Sequence, residues 1–107
     1  MSQFAENVWL VLKTVPKGKV ITYQLLATAA GNARACRAVG TILNHNQHII
    51  TIPCHRVVKS NGQVGGYVAG VFKKIALLQT EGVTIINNHI DLKHFLYTPA
   101  KLPYETN

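Results

Sequence analysis

Five consecutive residues carry the strongest chemical signal in this chain: Pro53-Cys54-His55-Arg56-Val57. A thiol stands directly before an imidazole. An apolar run, Ile49 to Ile52, precedes the pair, and a glycine-rich loop, Gly62 to Gly70, follows it. Sulfur is the softest nucleophile a side chain offers. The thiolate does the attacking, and a free thiol of pKa about 8.5 is only slightly ionised at neutral pH. A neighbouring base or cation raises that fraction, and His55 is such a base. Successive residues on a strand point to opposite faces. The pair therefore needs a turn-like backbone, or a bridging water, to cooperate.

Other ligand-type residues are less organised. Cys36 is the second cysteine, and its spacing from Cys54 matches neither a CxxC nor a zinc-ligand pattern. His45 and His48 sit three apart, but nothing completes a metal set, and they read as polar loop residues. No metal or cofactor is expected. Eleven Lys and Arg face four acids in 107 residues, for a net charge of +7. Such a field favours a polyanion. Nucleic acid fits better than a membrane, because there is no basic amphipathic anchor and no apolar run near the roughly 20 residues that span a bilayer. Hydrophobic content of 48% against 14% charged residues predicts a packed globule. The length fits one domain, expected over 1–98, with 99–107 as a tail marked by Pro99 and Pro103. Met1 to Lys13 has no signal-peptide pattern, so an intracellular location is expected.

The elements that must position the thiol follow from periodicity and breakers. Phe4, Val8, Val11, Leu12 and Val15 form one helical face. Pro16-Lys17-Gly18-Lys19 ends that helix. Val20-Ile21 is extended, and Thr22 is an N-cap for a second helix from Tyr23 to about Ala30. Gly31-Asn32 supplies a C-cap and turn. A third helix is predicted from about Ala33 to Asn44. Two short helices around a glycine turn make a helix-turn-helix candidate. Arg34 and Arg37 would share a face of its second helix. Ala35, Ala38 and Gly40 are small, which suits either close approach to a partner or tight packing in the core. Ile49 to Ile52 reads as a buried strand, and Asn61-Gly62 as a turn returning through Gln63-Val64. A fourth helix, Val71 to Thr80, should bury Phe72, Ile75, Leu78 and Leu77. A hairpin about Asn87-Asn88 and a last helical turn within Asp91 to Tyr97 close the reading.

Taken in register, several stretches resemble a known family: Ile21-Thr22-Tyr23-Gln24, Arg37-Ala38-Val39-Gly40, Ile52-Pro53-Cys54-His55-Arg56-Val57-Val58, Gly66-Tyr67, and Leu77-Leu78 followed by Glu81-Gly82-Val83. From Phe4 to Val83 the chain is similar to the DNA-binding, active-site domain of the O6-alkylguanine-DNA alkyltransferases. The resemblance implies a mainly α fold with a small β component, a winged-helix-like helix-turn-helix domain. It implies direct reversal of damage in double-stranded DNA: an alkyl group passes from guanine O6 to the cysteine, which is consumed. A monomer that enters the minor groove is expected.

Residue roles are carried by the same resemblance. Cys54 is the nucleophile. His55 is the base, acting through a water, and Glu81 orients it on triad logic. Tyr23 helps rotate the nucleotide and donates to guanine N3. Asn46 ties the recognition helix to the active-site turn. Arg37 is the finger that fills the base stack, with Arg34, Ala35, Ala38 and Gly40 beside the DNA. Pro53, Val57, Tyr67 and Val68 line the pocket, and Arg56 braces the motif. Val68-Ala69 departs from the Ser or small residue and Gly common in the family, and a branched, stiff Val narrows the pocket. Many members carry a further domain ahead of this one. Short relatives that bind lesions without repairing them match the length, but carry Trp or another residue in place of the cysteine. A helix-turn-helix regulator with an inert thiol would leave Glu81 and the glycine loop unexplained. The adjacent Cys-His order disfavours a hydrolase.

Overall fold

The computed structural model describes residues 2–46 and 52–99. Helix α1, Gln3–Leu12, starts at Ser2, whose hydroxyl accepts the Ala5 N–H. Its apolar face buries Val8, Val11 and Leu12, and the chain beyond it buries Val15. Strand β1, Ile21–Thr22, runs directly into α2, Tyr23–Ala29, where the Thr22 hydroxyl accepts the Leu25 N–H at 3.0 Å. Gly31, at φ +111°, ends that helix in the left-handed conformation glycine allows. Helix α3, Cys36–Asn44, follows. A short 3-10 turn, Cys54–Arg56, leads into β2, Val57–Val58. Helix α4 spans Val71–Thr80 and α5 spans Leu92–Phe95.

The sheet is two short parallel strands, with Ile21 opposite Val57 and Thr22 opposite Val58. Side chains alternate across a strand, and the two faces feed different cores. Ile21 and Val57 join α1, α2 and α3 in one cluster that includes Cys54. Val20 and Val58 join Val64, Leu78, Val83 and Ile90 in the other. The hairpin about Asn87-Asn88 forms, with φ of +52° and +60° at its two turn residues. It packs so closely on Gly62 that a Cβ there would fall 2.6 Å from the Ile90 carbonyl. At the end of α5 the Val20 N–H donates to the Phe95 carbonyl at 2.9 Å and the Tyr97 N–H donates to the Val20 carbonyl at 2.7 Å, which pins this last segment beside β1.

Three expectations need correction or limit. Helix α3 begins at Cys36, not Ala33, because Asn32 captures the Arg34 N–H with its side chain and the Ala35 N–H with its carbonyl. Arg34 is thus on a turn, not one helical turn from Arg37. Phe72 is 86% exposed rather than buried, and its neighbour Lys74 is the residue that α4 buries completely. Val71, Lys74, Ile75 and Leu78 fall on one helical face, whereas Phe72 lies off it. Of the Ile49–Ile52 strand, 49–51 lie outside the described residues, as do His48 and all but Pro99 of the tail.

Candidate active site

Cys54 sits where the chain turns. Its N–H donates to the Ile52 carbonyl at 2.8 Å and Arg56 N–H to that of Pro53 at 3.0 Å. This tight turn lets adjacent Cys54 and His55 project from something other than a strand. Asn46, just past α3, donates to the Ile52 carbonyl at 3.0 Å and to Cys54 Sγ at 3.2 Å. The end of the recognition-helix candidate is thereby tied to the thiol.

A cavity of about 240 Å³ opens over the sulfur. Tyr23 from the start of α2 forms one wall. Cys36, Gly40, Leu43 and Asn44 from α3 form another. Lys59, Gly66, Tyr67 and Val68 close it from the segment after β2. Of the residues expected here, Tyr23, Gly40, Cys54, Tyr67 and Val68 line the cavity. Pro53 and Val57 do not; both are buried, and Val57 belongs to the core. Arg34, Arg37 and Ala38 are exposed and Ala35 is half-buried, all outside the cavity.

Behind the thiol lies an ion cluster. His55 Nε2 meets Glu81 Oε2 at 3.1 Å. Arg56 holds the same carboxylate with two bonds, Nε to Oε1 at 2.9 Å and Nη2 to Oε2 at 2.7 Å, and donates Nη1 to the Val15 carbonyl at 2.8 Å. Burial disfavours the Glu81 carboxylate, but the Arg56 and His55 hydrogen bonds outweigh it and hold the carboxyl below its ordinary value. Burial lowers His55, against the raising effect of Glu81, so the imidazole is neutral at neutral pH. Burial pushes the Cys54 thiol up, more than the Asn46 hydrogen bond, its backbone hydrogen bond and the Lys74 charge pull it down. The resting pair is a thiol and a neutral base, so nucleophilicity requires a proton to leave.

Five residues at or beside the site are not among those the sequence points to. Cys36, Leu43, Asn44 and Lys59 line the cavity, and only a three-dimensional contact could place them there. Lys74 could have been found, because it stands at a core position of the α4 periodicity. Its ammonium donates to the Val57 carbonyl at 2.6 Å and the Gly66 carbonyl at 2.8 Å, with the Tyr23 ring 5.9 Å away. Burial lowers its pKa to about 7.

A helical domain that suspends a thiol between a polar relay and an open cavity matches one family. The family described as 6-O-methylguanine DNA methyltransferase, DNA binding domain, matches residues 3–83, and the chain belongs to it. The methylated-DNA–protein-cysteine methyltransferase of Homo sapiens is 53% identical over 74 residues, 69% of this chain and 36% of that protein. The chain thus spans about a third of that relative's length. Among solved structures, S. pombe Atl1 in complex with damaged DNA containing O6-carboxymethylguanine superimposes with a TM-score of 0.84 at 28% identity, over 92% of this chain and 98% of that one. The Mycobacterium tuberculosis OGT in complex with DNA gives 0.72 at 40% identity, over 76% of this chain and 50% of that one. No described helix is long and apolar enough to cross a membrane.

Proposed function

We propose that this chain repairs double-stranded DNA by taking the alkyl group of an O6-alkylguanine onto Cys54, once per molecule. The observation that carries the reading is the Cys54 thiol at a cavity, backed by Asn46 on one side and the His55–Glu81–Arg56 cluster on the other. The thiol proton passes to His55, the sulfur attacks the alkyl carbon in line, the carbon–O6 bond breaks, and the guanine leaves as an anion. Tyr23, at the cavity wall, donates toward that anion as its charge develops. The nucleotide must leave the duplex to reach the sulfur, at an unstacking cost of a few kcal/mol. Arg37, exposed on α3, fills the gap from the minor groove with a planar cation that can also stack. The net charge of +7 supplies sequence-independent affinity that weakens with salt.

The likeness to Atl1 over nearly its whole length favours one alternative, lesion binding without transfer. Cys54 argues for transfer. Intact mass after incubation with a duplex carrying O6-methylguanine decides between them. The expected result is a single methyl-sized gain mapping to Cys54, lost in Cys54→Ala while DNA binding persists. Tight binding with no mass gain would replace repair by recognition alone.

A further inference from the structure

The cavity over Cys54 is unbalanced in charge. Of the residues that line it, Lys59 alone is ionic, and none is an acid. The chain has only four acids, and each is placed elsewhere. Glu6 is on α1, Glu81 is held by Arg56 and His55, Asp91 caps α5, and Glu105 lies outside the described residues. Among the described residues the Lys59 ammonium therefore meets no carboxylate. Its backbone is braced just after β2: the Lys59 N–H donates to the Gln63 carbonyl and the Gly62 N–H donates to the Lys59 carbonyl, both at 2.9 Å. Gly65, at φ +77°, lets the surrounding side chains close in. A Cβ there would meet Lys59 Cγ and Tyr23 Cε2 at 3.5 Å and Lys74 Nζ at 3.6 Å. The stem of one lysine and the ammonium of another thus converge beside the cavity wall. Lys74 spends two donors on the Val57 and Gly66 carbonyls, whereas Lys59 spends none of its ammonium donors on a described residue. A cleft lined by one sign of charge attracts the other. A methyl group gains nothing from that arrangement, and an anionic substituent does.

We propose that Lys59 makes this cavity selective for O6-alkylguanines whose alkyl group ends in a carboxylate, with O6-carboxymethylguanine the simplest case. The inference rests on the proposed function, in which the O6 substituent is brought to Cys54. Such a group presents its own obstacle: a carboxylate one bond from the reacting carbon repels an incoming thiolate. A lysine ammonium at the cavity wall offsets that repulsion, and its four-carbon stem lets the charge follow the carboxylate as it moves. The bonds exchanged are those of any alkyl group. A sulfur–carbon bond forms at the methylene, and the carbon–O6 bond breaks with its electron pair going to the guanine. The thiol proton is returned to the departing base. The carboxylate stays on the sulfur, as S-carboxymethyl-Cys54, still facing Lys59.

Single-turnover transfer from three duplexes tests this, with O6-carboxymethylguanine, O6-carbamoylmethylguanine or O6-methylguanine at one position. The carbamoylmethyl group keeps the shape of carboxymethyl and removes its charge, so the ratio of those two rates reads charge recognition. The methyl duplex reports any loss common to all substrates. Lys59→Gln should lower the carboxymethyl-to-carbamoylmethyl ratio about ten-fold, as expected for one charge-assisted hydrogen bond. Lys59→Glu should lower it further, and Lys59→Arg should preserve it. An unchanged ratio in Lys59→Gln overturns the proposal. So does an equal slowing of all three duplexes, which would make Lys59 a phosphate contact. A loss in Lys59→Arg as deep as in Lys59→Gln would assign the effect to packing and overturn it as well. Equilibrium binding of the same duplexes to Cys54→Ala protein, with and without Lys59→Gln, reads the preference without transfer. A Lys59-dependent preference for the carboxymethyl duplex in a protein that takes no alkyl group would keep this inference and discard the repair reading. Transfer with a ratio indifferent to Lys59 would do the reverse.

Discussion

Helix α4 buries one charge in its middle and carries another, mostly covered, just past its end, and the fold handles them in opposite ways. Glu81 is met by Arg56 through two bonds and by His55 through a third, so it stays ionised. Lys74 finds only neutral carbonyls, with no carboxylate partner among the described residues, and its pKa falls to about 7. A buried charge keeps its proton state when an opposite charge neutralises it, and surrenders it when dipoles alone must do so. The same fold thus contains a fixed anion behind the Cys54 thiol and a cation near the point of losing its charge.

The sharpest way to break this contrast is Glu81→Ala. It leaves Arg56 mostly buried without its carboxylate, and should cost about 3 kcal/mol in urea unfolding at neutral pH. Because the Glu81 carboxyl is held below its ordinary 4.5, its contribution is fully present above that value and is lost as pH falls through the folded-state pKa. Parent and variant should therefore converge in acid. Lys74→Met comes next, at about 2 kcal/mol, from two carbonyls left without a donor. Its diagnostic is the pH slope. Unfolded, Lys74 titrates near 10.5; folded, near 7. Between these values the unfolded chain holds the extra proton, so the parent gains stability as pH rises, by at most about 1.4 kcal/mol per unit. The raised pKa values of Cys54, Tyr23 and Tyr67 oppose that gain above their ordinary 9.0 and 10.0, which leaves pH 7 to 9 as the clear window. The variant should be flat there. A parent that is already flat would put Lys74 in the same class as Glu81. Phe72→Ser should change stability by no more than about 0.5 kcal/mol, because that ring is 86% exposed and touches no core. A larger loss would mean that α4 buries its aromatic face instead of Lys74.

What the sequence made legible was local. Thr22 caps α2 through its own hydroxyl, and Asn87-Asn88 forms a left-handed turn that its residue types favour. Strand geometry alone calls for either a turn or a bridging water at Cys54-His55, and the structure has the turn. What stayed hidden depends on partners far along the chain. Arg56 and Glu81 are 25 positions apart, and nothing in either neighbourhood announces the pair of hydrogen bonds between them. Helical phase puts Lys74 at a core position, but the Val57 and Gly66 carbonyls that let an ammonium stay there come from outside the helix. Judged by hydrophobicity, Phe72 outranks it; judged by helical phase, it does not. Helical propensity alone carries α3 three residues too far, because alanine and arginine favour helix, while Asn32 uses both side chain and carbonyl to hold the turn.

The two-residue sheet acts as a ruler for the whole site. Tyr23 follows β1 immediately, and Cys54 lies three residues ahead of β2, so the pairing of Ile21 with Val57 sets their separation. Strands advance about 3.3 Å per residue. A slip of one position would carry Tyr23 that far along the cavity wall and also exchange which core each strand residue faces. With only two rungs to hold alignment, precision at the sulfur comes from the two separate hydrophobic cores that grip opposite faces of the ladder. An insertion within 20–23 or 54–58 should therefore misplace Tyr23 against Cys54 even where every side chain around the cavity is retained.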